Sequence, residues 1–164
     1  MRPEIRRFSV AAVLVSFMFV SACSGAPDKP TSDEATKLLI ATGDKLLASQ
    51  DIDALGSAAA IERADRDSES GCLKGQVQRL FRAQGDFDGP PYVRSPGSAV
   101  GLLTSWLRLE GYDVIVDNLD LRDENLSTAV LRHPTNDITF LINARTERKP
   151  NIMIVGKTGC YPRS

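Results

Sequence analysis

This chain is poor in the residues that most chemistry uses. Its 164 residues include 1 histidine, 1 tryptophan and 3 cysteines. The one histidine, His133, has no companions at ligand spacing, which argues against a zinc site. A Ser-His-Asp or Cys-His arrangement would have to use His133 as its base, yet no serine stands in a G-x-S-x-G turn. His133, beside Pro134, therefore reads as a surface turn residue. Charge of one sign is also lacking, with 20 Lys+Arg against 21 Asp+Glu. Without a basic stripe, nucleic acid is not expected as a partner, and no polybasic patch is available to assist membrane attachment. Long hydrophobic runs are missing too. Residues 8–20 (FSVAAVLVSFMFV) form a 13-residue run without charge, whereas a spanning helix needs about 20 apolar residues.

Motifs for bound groups are incomplete in the same way. Gly156, Lys157, Thr158 and Gly159 share their composition with the tail of a P-loop, but the upstream glycine spacing and the following helix are missing. Gly85, Gly89, Gly97 and Gly101 are too scattered to cradle a phosphate. Asp65, Asp67 and Glu69 mimic the first ligands of a calcium loop. The glycine then falls one place late, and Gln76 stands where a bidentate glutamate belongs. Asp113, Asp117, Asp120, Asp123 and Glu124 cluster around one turn and read as solvated turn residues. No cofactor, metal site or catalytic residue is expected on these grounds.

The N-terminus is more informative. Arg2, Arg6 and Arg7 precede the apolar run, and small residues follow it at Ser21 and Ala22. That order describes a secretory signal peptide. Val20, Ser21, Ala22 and Cys23 then match an aliphatic, small, small, cysteine pattern. This stretch resembles the lipobox of bacterial lipoprotein precursors, and the resemblance is confined to the leader. It implies cleavage after Ala22, a diacylglycerol on the Cys23 thiol and acylation of the new amino terminus. Cysteine suits the role because its thiolate is a good nucleophile for making a thioether, and two or three acyl chains hold a protein stably where one does not. Ser24 lacks the aspartate that such sorting signals associate with inner-membrane retention. The implied location is the bacterial cell membrane, facing outside the cytoplasm.

Removing 22 residues leaves 142 with a net charge near −3, enough for one domain with its own core. With Cys23 assigned to lipid, Cys72 and Cys160 remain as an even pair in an exported protein, where disulfides form and persist. Their bridge would close about 88 residues, worth roughly 4–5 kcal/mol in the chain-entropy account.

The organisation reads as a signal peptide over residues 1–22, a lipidated cysteine and flexible tether over 23–30, and a single domain over 31–164. Thr31 and Glu34 fit a capping box, and Ala35, Leu38, Leu39, Thr42, Leu46 and Leu47 recur at helical spacing, which predicts a helix over 32–50 despite Gly43. Within residues 51–71, Ala58 to Ile61 could extend a helical turn, and the following ERADRDSESG reads as a solvated loop because its charges alternate in sign and apolar residues are lacking. Residues 72–87 fit either period, and the glycines at 75 and 85 favour a strand. Ser95 and Pro96 start a second helix over 96–110, with Gly111 at its end and Trp106 on its apolar stripe. Alternating runs at 112–121, 126–133, 137–145 and 151–160, separated by polar turns, predict an antiparallel meander. Cys160 falls on the same face as Ile152 and Ile154, a place for a buried bridge to Cys72. The expected fold is α+β, with two helices packed on one face of a mainly antiparallel sheet of about four to five strands.

The expected function is a membrane-anchored extracytoplasmic lipoprotein acting as a non-enzymatic binding or accessory module of the cell envelope. Its partners would be the membrane, through the lipid on Cys23, and an envelope protein. An envelope hydrolase using carboxylates and an inhibitor or immunity-type protein are the alternatives.

Overall fold

Two side-chain caps start the two helices. At the first, Thr31 N–H donates to Glu34 Oε2 at 2.8 Å and Glu34 N–H donates back to Thr31 Oγ1 at 3.3 Å, the reciprocal capping box that satisfies orphan donors. At the second, Ser98 N–H donates to Ser95 Oγ at 3.1 Å, and Pro96 occupies the first helical turn. In a computed structural model, which describes residues 29–48, 60–68, 71–85, 95–117, 123–146 and 150–163, these caps open α1 (Ser32–Ala48) and α2 (Pro96–Leu109). Helix α2 stops at Glu110, and Gly111 follows at φ 90°, the left-handed conformation that glycine adopts without steric cost.

The strands are β1 (Ala60–Ser68), β2 (Gln76–Gly85), β3 (Asp113–Val116), β4 (Leu126–Arg132), β5 (Thr139–Arg145), β6 (Ile152–Lys157) and the two-residue β7 (Tyr161–Pro162). Six of them pair in the order β1-β2-β6-β5-β4-β3, every neighbour antiparallel, while β7 pairs with the start of β2. The meander from β3 to β6 matches the expectation from alternation, and residues 72–87 do contain a strand.

The fold is thus α+β with an antiparallel sheet, but two details of the expectation are corrected. The sheet is larger than four to five strands because β1 forms where a helical turn at Ala58 to Ile61 and a solvated loop after it were expected. Its sequence, AIERADRDS, lacks the apolar alternation of a half-buried strand. It forms the sheet's edge, where β2 supplies the backbone partners on one side. The helices also do not lie together over the whole sheet: α1 packs on β2 and β6, and α2 on β4, β5 and β3.

Both helices nevertheless feed one core. Leu39 and Leu46 from α1 and Ala99, Val100, Leu103 and Leu107 from α2 join Phe81, Leu131, Phe140, Ile142, Ile152 and Ile154 from the strands. Burying each large side chain is worth about 1.5–3 kcal/mol. Trp106, expected in the core, is only partly buried and packs against its margin. Phe140 anchors the centre, with edge-on ring contacts to Phe81 at 6.3 Å and Tyr112 at 5.6 Å between centroids.

Two glycines are explained by this packing. A Cβ on Gly43 would lie 2.5 Å from the Phe81 ring, and one on Gly156 would meet Phe140 and Leu39. Gly43 therefore costs helix propensity but lets α1 approach β2. Gly156 opens the matching space in β6, which is a packing role and not a phosphate cradle.

Candidate functional site

Alternation along the strands gives the sheet two unlike faces. On β5, Phe140, Ile142 and Ala144 are buried while Leu141, Asn143 and Arg145 are half-buried. Registers carry this alternation across strands. Val116, Val130, Leu141, Val155 and Arg82 form one continuous row, and Thr128, Asn143, Met153 and Gln84 form the next. Cross-strand partners share a face, so both rows lie on the side turned away from the core.

A half-open pocket of about 120 Å³ lies over the second row, lined by Arg82, Gln84, Asn143, Arg145, Pro150, Asn151, Ile152 and Met153. Arg82 enters from β2 and Arg145 from the end of β5, on opposite sides of Met153. Three side-chain amides stand between them. Asn143 is fixed by donating from Nδ2 to Thr128 Oγ1 at 2.8 Å. Arg145 is fixed through its backbone, whose N–H donates to the Asn151 carbonyl at 2.9 Å. No carboxylate lines the pocket among the described residues, so its polar lining consists of two guanidinium groups, which only donate, and amides, which donate and accept.

Comparisons with family models, with curated proteins and with solved structures find no match for this chain.

The residues singled out in the sequence lie elsewhere. Cys72 and Cys160 are disulfide-bonded, with Cα atoms 5.7 Å apart. The bond sits beside the β2–β7 pairing, where Arg163 N–H also donates to the Gly75 carbonyl at 2.9 Å, so it fastens the C-terminal segment to the start of β2. The expectation of a buried bridge at the end of a long strand is corrected. Strand β6 ends at Lys157, Thr158 turns its hydroxyl to accept from Arg79 N–H at 3.0 Å, and Cys160 is partly exposed. Cys23 lies outside the described residues.

His133 is half-buried, stacked edge-on against Tyr112 at 5.1 Å, and its Nδ1 accepts from the Thr135 backbone N–H at 3.3 Å. That is a turn-forming role. Asp65 and Asp67 fall within β1, while Asp120 and Glu69 lie outside the described residues. Among the described residues no group of three or more histidines, cysteines and acids is placed to hold a metal.

A second polar cluster gathers at the opposite end of the sheet from the pocket. Asp137, at φ 54°, is one of the few side-chain types that tolerate the left-handed region. It pairs with Arg132 and, at 3.2 Å, with Lys29. Partial burial pushes its carboxyl up, but the hydrogen bonds from Arg132 and Lys29 outweigh this and hold it below the usual carboxylate range. Gly159 leaves room beside it, since a Cβ there would meet the Asp137 carboxylate and force that side chain to shift. Lys29, read as tether, is thereby tied to the domain.

The pocket residues escaped the sequence reading for a definable reason. Asn143 and Arg145 occupy the outward parity of β5, and Arg82 and Gln84 that of β2. Nothing local indicates that β2 and β5 flank the same strand, β6, and bring these residues around one hollow.

Proposed function

We propose that this chain is a lipid-anchored extracytoplasmic protein that acts as a non-enzymatic binding or accessory module of the cell envelope. The observation that carries the reading is the leader ending in Val20, Ser21, Ala22 and Cys23. Two features of the domain support it. The Cys72–Cys160 bond suits an oxidising compartment. The attachment of Lys29 to Asp137 leaves only a six-residue step from Cys23 to the domain, at most about 20 Å when extended. The domain would then stand close to the bilayer, with the Asp137 end of the sheet nearest the anchor and the polar pocket on the open face available to a ligand.

The test is metabolic labelling of the full chain with a fatty-acid analogue, followed by membrane fractionation. The wild type should carry label and sediment with membranes, and Cys23→Ala should lose both. Label retained by Cys23→Ala, or an unlabelled wild type, would sink the proposal.

A further inference from the structure

We infer that the pocket on the open sheet face binds an oxyanion, a carboxylate or phosphate head group carried by a small ligand; this deepens, and rests on, the binding-module reading. The charge argument comes first. The mature chain is net negative, yet this hollow collects two guanidinium side chains, Arg82 and Arg145, and no carboxylate among the described residues lines it. Guanidinium groups present planar, fork-like donors that match carboxylate and phosphate geometry and stay charged at any physiological pH.

The second argument is directional. Gln84, Asn143 and Asn151 line the space between the two arginines. Asn143 uses one N–H on Thr128, so its amide plane is set and a second N–H remains to donate. Among the described residues Arg145 makes no ion pair, and its strand position is held by pairing with Leu126 and with the Asn151 carbonyl. Arg145 is therefore the principal anchor. Arg82, whose register partner on β1 is Glu62, closes the opposite side.

Size sets the ligand class. The volume of about 120 Å³ is far above the ~10–15 Å³ that one water needs. It is below the roughly 300–1,000 Å³ of sites that enclose drug-sized molecules. The site therefore takes a charged head group and leaves the rest of the molecule outside. Met153 supplies an apolar floor with an adaptable shape.

The experiment uses the mature lipidated chain in a non-ionic detergent, titrated separately with inorganic phosphate and with acetate and followed by amide NMR. Saturable binding in about the millimolar range should move the side-chain amide signals of Gln84, Asn143 and Asn151. Phosphate binding the tighter of the two would assign a phosphate head group, and acetate a carboxylate. Arg145→Gln should weaken binding by about tenfold or more. Lys45→Gln, which removes a distant cation paired with Glu110, should leave it unchanged. Non-saturating shifts with both anions would overturn the inference, as would equal affinity in a folded Arg145→Gln protein. Its failure is distinguishable from failure of the anchoring proposal, because Cys23 labelling does not depend on the pocket.

Discussion

The two faces of the sheet are built from the same strands and differ in almost every physical respect. Toward the helices, β4, β5 and β6 present Leu131, Phe140, Ile142, Ile152 and Ile154, each at most 2 % exposed. On the other side the same strands present Val130, Leu141, Asn143, Met153 and Val155, all half-buried. The first face is a closed jigsaw, in which even a glycine hydrogen is replaced at a cost. The second tolerates polar side chains because water can reach them, and it is there that arginines and amides gather around a hollow. The packed core and the polar hollow are thus separated by strand parity, one residue apart.

The contrast is sharpest between adjacent residues. Phe140→Ala should destabilise the fold by about 3–5 kcal/mol, since it removes a buried ring and leaves a cavity beside Phe81 and Tyr112. Its neighbour Leu141→Thr should cost no more than about 1 kcal/mol, because its site is half solvated and threonine suits a strand. Denaturant unfolding of both variants tests this, and comparable losses would show that the two faces are not energetically distinct.

A smaller effect tests how closely the covered face is packed. Gly43→Ala would gain up to about 1 kcal/mol of helix propensity but would drive a methyl group into the Phe81 ring. Overpacking of this kind costs about 1–3 kcal/mol, so the net change should be a loss. Increased thermal stability on this substitution would mean that α1 stands farther from β2 than the packing requires.

The smallest effect lies at the sheet end, which belongs to neither face. Asp137→Asn keeps a side chain that tolerates a positive φ and removes the charge that binds Arg132 and Lys29. Because the native carboxyl is held below its usual value, its stabilisation is complete above the unfolded value of about 3.9. It is lost as pH falls through the depressed native value. The substitution should therefore cost roughly 1 kcal/mol at neutral pH, limited because both cations are largely solvated. The difference from wild type should vanish in strong acid. A difference that persisted there would assign the effect to the backbone turn and not to charge.

How much was legible varied with the range of the interactions. Both helices were, because a capping threonine or serine, a proline and an apolar stripe act within a few residues of each other. The β5 strand was also legible, since Ile138, Phe140, Ile142 and Ala144 alternate without a break and all four are buried. The Val114 to Val116 run also alternates, but it became an exposed edge strand with a register shift. Alternation cannot tell an edge from a centre. The polar pocket was not legible at all: arginine and asparagine at outward strand positions are what any solvated face contains.

The sequence by itself therefore determined the helix boundaries, the meander, the strand that follows Cys72, and the pairing of Cys72 with Cys160. Only the tertiary structure decided that β1 is a strand, that β2 joins the meander through β6, that Gly43 and Gly156 are spaces for Phe81 and Phe140, and that Arg82 and Arg145 flank one hollow. The physical reason is the separation of the partners. Caps and helical stripes join residues three or four apart, whereas β2 meets β6 across pairs such as Ala83 and Ile154, more than seventy residues apart. No local preference encodes such a pairing until the chain has closed around its core.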